Sequence, residues 1–157
     1  MSLSIRAPAF DSGGNIPNQF SKSGGNISPS VEWQGAPPGT QSYALVVEDP
    51  DAPRGTFRHW AAYNISPELR RLAEGAGSRE RGVPFQMGEN DFGHTRYDGP
   101  QPPPGDRPHH YFFRLFALDV PELDVDEDCS AAEVLEAAKA HALEEADTVG
   151  IYASESR

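Results

Sequence analysis

A mainly β fold with one helix near the C-terminus is predicted by three features of this 157-residue sequence. Its 15 glycines and 15 prolines are spread along the chain and separate short apolar runs, the punctuation of strands joined by turns. Runs such as "SYALVVED" have strand length, and their side chains would alternate between two faces. A third feature is "SAAEVLEAAKAHALEEA", residues 130–146, the clearest helical pattern in the chain.

In chain order, strands are expected near "LSIRAPAF" (3–10), "SVEW" (30–33), "SYALVVED" (42–49), "RHWAAYNIS" (58–66), "HHYFFRLFALDV" (109–120) and "DTVGIYA" (147–153). The segments "DSGGNIPNQFSKSGGN", "GAPPGT" and "GPQPPPGDRP" between them favour turns and extended loops. A shorter helical or turn segment is expected through "SPELRRLAEG", closed by Gly75. In the C-terminal helix Ser130 and Glu133 form a capping box, and Val134, Leu135, Ala138 and Ala142 form one apolar stripe that should pack on a sheet. His141 lies at the stripe's edge and reads as a structural or solvated histidine.

The length suits one domain spanning residues 1–157, long enough to close a core without disulfides or metals. Thirteen basic and 24 acidic residues give a formal net charge of -11, which repels nucleic acid and anionic membrane surfaces. Cys129 is the single cysteine, and "MSLSIRAPAF" lacks the pattern of an export signal, so a cytoplasmic protein without a membrane span is expected. Cys129 is assigned no role.

The stretch "EDPDAPRGTFRHW", residues 48–60, places ionisable groups at the facing ends of two strands. Strict alternation puts Tyr43, Leu45, Val47 and Asp49 on one face, and Phe57, His59, Ala61, Tyr63 and Ile65 together on the neighbouring strand. Adjacent His109 and His110 cannot both face inward. The register His109, Tyr111, Phe113, Leu115, Ala117 is free of charge below its end and is expected inside, whereas Arg114 assigns His110 to the other side. Asp49, His59, His109 and Tyr111 would then converge as a carboxylate, two imidazoles and a phenol, a set able to hold an anion through protonated histidines. A hydrogen-bonded patch that only ties two loops together ranks level on residue types alone. Backbone N–H groups around Gly99 would add donors.

These motifs, "DPDAP" followed by "HW" and, further on, "GPQPP" followed by "HHY", resemble the phosphatidylethanolamine-binding protein family in its bacterial branch of Raf kinase inhibitor-like proteins. The resemblance implies packed antiparallel β-sheets with Greek-key type connections, a few flanking helices and a small pocket for phosphate-like groups. It carries pocket roles to Asp49, Pro53, His59, Gly99, Pro103, His109 and Tyr111, with Phe57 as an aromatic wall and Asp51 as a loop brace. It implies no cofactor, suggests a homodimer, and suggests inhibition of kinases or serine proteases. Three features depart from the family pattern: His110 in place of a common arginine, Gln101 where bacterial relatives often carry cysteine, and the altered loop "PPPGDRP". Asp98 falls beside the expected pocket and would alter its charge preference.

The expected function is therefore non-catalytic binding of a small phosphate-like or phospholipid-headgroup-like anion, with a protein partner attached to it. Two alternatives use the same chain. A small hydrolase would take His59 or His109 as general base with Asp49 behind it, but the sequence shows neither a G-x-S-x-G elbow nor a Walker A loop. A structural interaction protein would leave the pocket unused. A metal reading of His59, His109 and Asp49 matches no metal-site spacing.

Overall fold

Among the described residues the alternating patterns close into two sheets and one α-helix. The computed structural model describes residues 2–79 and 82–154. In order these form strands β1 (Ser4–Arg6), β2 (Gly14–Asn15), β3 (Val31–Gln34), β4 (Ser42–Asp49), β5 (Phe57–Ile65), β6 (Arg71–Leu72), β7 (Gln86–Met87) and β8 (His109–Leu118), then helix α1 (Ala131–His141) and strand β9 (Ala142–Tyr152). A small sheet has the order β1-β3-β6, and a six-stranded sheet has the order β2-β9-β8-β4-β5-β7. β4 and β5 form an antiparallel pair, and β8 returns over a long connection to the other edge of β4, a Greek-key type path. Both edges of the large sheet are two-residue strands, which leaves little open ladder for intermolecular pairing.

The core has two compartments, one on each face of the large sheet. On the inner face Tyr43, Leu45, Val47, Phe113 and Leu115 pack with Ile5, Val31, Trp33 and Leu72 of the small sheet. On the outer face Ala44, Val46, Phe116 and Leu118 meet Ala131, Val134, Leu135 and Ala138 of α1. The Ser130 hydroxyl accepts from the Glu133 N–H while the Glu133 carboxylate accepts from the Ser130 N–H, so the expected capping box starts the helix.

The helix ends earlier than expected. Residues 142–146, "ALEEA", have good helix formers, yet they run as the first half of β9, pairing Leu118 with Ala142 and Ala117 with Glu144. The unpaired edge of β8 supplies a long ladder, and tertiary pairing overrides local propensity there. "SPELRRLAEG" is turn plus the short strand β6 rather than helix, and among the described residues the flanking helices besides α1 are two single 3₁₀ turns, Asn18–Phe20 and Ala76–Ser78. His141 is half exposed and donates to Asp119 at 3.0 Å.

Strict alternation fails on β5. Asp49 opposes Phe57 and Val47 opposes Trp60, so one extra residue lies between them; a second irregularity, around left-handed Asn64 (φ 55°), lies before Ile65. These bulges turn Trp60 and Ala62 to the inner core and send Ala61 and Tyr63 to the α1 side. The expected common face of Phe57, His59, Ala61, Tyr63 and Ile65 is thus split. The first bulge allows His59 and Trp60, neighbours in sequence, both to be buried.

Phe116 is fully buried between the sheet and α1, on the face away from the cluster at residues 49, 59 and 109. Phe116→Ala is expected to cost about 3–5 kcal/mol in urea unfolding through the cavity it leaves. His59 and His109 should keep their NMR titration behaviour in the folded variant.

Candidate functional site

One end of the inner face closes over a cavity of about 190 Å³, lined by Asp49, Ala52, Pro53, Phe57, His59, Phe92, Gln101, Pro102, Pro103, His109 and Tyr111. All the expected pocket residues but Gly99 line it. β4 supplies Asp49 at its last residue, β5 supplies Phe57 and His59 around its bulge, and β8 supplies His109 and Tyr111 from its first turn of alternation. His109 and Tyr111 are buried, while His110 points out, where its N–H and ring Nδ1 both bond the Asp51 carboxylate at 2.8 and 2.7 Å. Asp51 braces the loop and takes no part in the lining.

Asp49 organises the polar wall. One carboxylate oxygen accepts from the Asp51 N–H at 2.8 Å, and the other lies 2.7 Å from His109 Nδ1. His109 Nε2 faces a second carboxylate, Asp106, at 3.1 Å. A ring with an anionic oxygen at each nitrogen is best satisfied as imidazolium, donating from both. Burial would lower the His109 pKa, but hydrogen bonds and charge from Asp49 and Asp106 outweigh it and raise the value above that of free histidine.

His59 is the opposite case. Its Nδ1 lies 2.8 Å from the Asp98 backbone carbonyl, which only accepts, so Nδ1 carries the proton and the neutral ring leaves Nε2 as an acceptor. Burial holds its pKa below the ordinary histidine value despite that carbonyl and the Asp49 and Asp98 charges. The expectation of two cationic histidines is therefore corrected: His109 is the cation and His59 the neutral acceptor. Burial beside the Asp49 charge also pushes the Tyr111 phenol up, keeping it protonated.

Two further expectations change. Gly99 does not line the cavity: its N–H donates to Asn26 Oδ1 at 2.7 Å, and a Cβ there would lie 1.9 Å from the Phe20 carbonyl oxygen. Only glycine allows that close approach. Asp98 does not line the pocket. Its carboxylate is fully buried and accepts from Asn26 and Asn90, each at 2.9 Å, and from His94 at 2.6 Å. Burial alone would raise its pKa, but these bonds and the Lys22 charge hold it at about 2.

Sequence reasoning missed Phe92, Asp106, Asn26 and Asn90. Phe92 forms the far aromatic wall, its ring 4.7 Å from that of Phe57 and 5.4 Å from that of His59, with the Lys22 ammonium 4.9 Å from its centroid. An acid three residues before His109 in the altered "PPPGDRP" loop was the available signal for Asp106.

Chemically, the cavity offers one charged N–H donor, one neutral imidazole acceptor, and walls of proline and aromatic carbon. Because the folded His109 pKa is raised, its pairing contributes stability that is fully present below about 6.5, the unfolded value, and is lost as pH rises through the folded value. The lowered His59 pKa acts the other way, weakening the fold as pH falls below about 6.5. NMR titration should show His59 titrating below free histidine and His109 above it; the reverse order would contradict the assigned charges. Gly99→Ala is expected to destabilise the fold by about 1–3 kcal/mol in chemical unfolding, through overpacking against Phe20.

Comparison with known proteins agrees with this architecture. The family model described as phosphatidylethanolamine-binding protein matches residues 6–153. A UPF0098 protein of Methanothermobacter thermautotrophicus is 41% identical over 152 residues, covering 96% of this chain and 98% of the relative. The crystal structure of Escherichia coli YbcL, described as a new member of the mammalian PEBP family, superposes with a TM-score of 0.93 at 33% identity, covering 99% of this chain and 100% of that one. The PEBP homologue CT736 of Chlamydia trachomatis gives 0.86 at 34% identity, covering 98% and 99%. With its two packed sheets, its C-terminal helix and a family match from residue 6 to residue 153, this chain belongs to the phosphatidylethanolamine-binding protein family.

Proposed function

We propose that the protein is a non-catalytic binding protein whose cavity receives a small oxyanionic group of the phosphate or sulfonate type, free or as the headgroup of a larger ligand. The observation that carries this reading is the His109 ring held between two carboxylates, Asp49 2.7 Å from Nδ1 and Asp106 3.1 Å from Nε2, a pairing that favours the imidazolium. The Asp106 oxygen marks where an oxyanion would be held. Charge-assisted hydrogen bonds of this kind are among the stronger polar contacts. The proline and aromatic walls suit a short apolar or ester substituent.

Binding without turnover is favoured by the lining, which among the described residues includes no serine, threonine or cysteine to act as nucleophile. Asp49, which a hydrolase would need behind its base, is already committed to an imidazolium. On this reading an occupied pocket is the handle by which a phosphorylated partner, such as a kinase or protease complex, is held. The protein would work in the cytoplasm, where a lone thiol such as Cys129 stays reduced. Among the described residues no helix is long and apolar enough to cross a membrane.

Calorimetry with ethanesulfonate, whose charge is constant over the range, tests the site. Affinity is expected to hold at mildly acid pH and to fall as pH rises through the raised His109 value. His109→Ala should weaken binding by about tenfold or more with the fold retained. Unchanged affinity in the folded variant would remove the anion reading, and steady turnover of phosphate or acyl esters that His109→Ala abolishes would replace it with the hydrolase.

A further inference from the structure

The turn that carries Asp106 is built to return a carboxylate to the pocket. The Asp106 N–H donates to the Pro103 carbonyl at 3.1 Å, Gly105 takes a left-handed conformation (φ 88°), and the Asp106 side chain, 40% exposed, reaches back to His109 three residues on. Pro103 is itself a cavity wall. Asp106 thus sits at the mouth, with one oxygen on the only charged donor among the described lining residues.

We propose that Asp106 is a tethered competitor that occupies the oxyanion position on His109 and thereby makes the site select monoanionic over dianionic ligands. This rests on the anion reading of the pocket. A ligand oxygen that takes His109 Nε2 must displace the Asp106 carboxylate. The turn's Pro103 bond and its proximity in sequence keep the displaced charge at the mouth. Asp49 already balances the imidazolium from the inner side, at 2.7 Å from Nδ1. The incoming ligand therefore meets one cation, one buried anion and one displaced anion, and a second ligand charge meets net repulsion. The other groups around the cavity do not relieve it: the Lys22 ammonium beside Phe92 is paired with the buried Asp98 carboxylate at 3.5 Å. Tyr111 stacks on the ring at 6.4 Å between centroids and is a neutral phenol, His59 across the cavity is neutral, and Asp51, bonded to the outward His110, adds a further negative charge.

The test is Asp106→Asn in the full chain, which keeps size and an acceptor oxygen while removing the charge. Without any added ligand, the His109 pKa followed by NMR is expected to fall by about half a unit or more. With both probes measured at pH 8, where ethyl phosphate is a dianion, affinity for ethanesulfonate should rise and affinity for ethyl phosphate should rise several-fold more, the change in His109 charge being common to both. The ratio between the two probes is the diagnostic quantity. An unmoved His109 pKa would overturn the contact whatever the pocket binds. A lowered pKa with both affinities unchanged, or raised by the same factor, would overturn competition or selectivity while leaving the anion pocket standing. Failure of both proteins to bind either probe would overturn the anion reading and the competition with it, and the pKa would still report whether Asp106 contacts His109.

Discussion

Burying the Asp98 carboxylate is the constraint from which the pocket's architecture follows. A fully buried charge is tolerated only when its oxygens are hydrogen bonded, and Asp98 collects Asn26 from one loop and Asn90 and His94 from another. Asn26, itself left-handed at φ 53°, then bonds the Gly99 N–H, which fixes the backbone just after Asp98 against Phe20. With the main chain immobilised, the Asp98 carbonyl is a fixed acceptor for His59. The tautomer of a pocket imidazole is thus set by a charge that never touches the pocket.

A second buried carboxylate, Asp49, acts directly. The two histidines differ in charge because one faces two carboxylates and the other a carbonyl in an apolar setting. Residue type is the same and the partner decides. The cavity thereby acquires a donor on one wall and an acceptor on the other, separated by aromatic rings, a polarity suited to orienting a small asymmetric group.

The β5 bulge connects these electrostatics to packing. Without it, His59 and Trp60 would point to opposite faces, and either the imidazole or the indole would leave the inner side. The extra residue lets Trp60 fill the core against Tyr97, ring centroids 5.7 Å apart, while His59 stays at the cavity beside Phe57 and Phe92. Core and site share the strand at the expense of one ladder position.

By itself the sequence determined the local periodicities: the strand segments, the alternation that separates His109 from His110, the capping box at Ser130, and the motif spacing that carries the family resemblance and most of the lining. Those features depend on chemistry within a few residues, where side-chain direction follows from position along a strand or a turn of helix. Tertiary structure alone decided where α1 stops, because the β8 edge competes for residues 142–146. It also decided the faces of Ala61 and Tyr63, the withdrawal of Gly99 and Asp98 from the cavity, and the arrival of Phe92 and Asp106. Each of these depends on a group brought across from a distant segment or an unusual turn, and hydrogen bonding of buried charge, which no window of sequence contains, selected among the local alternatives.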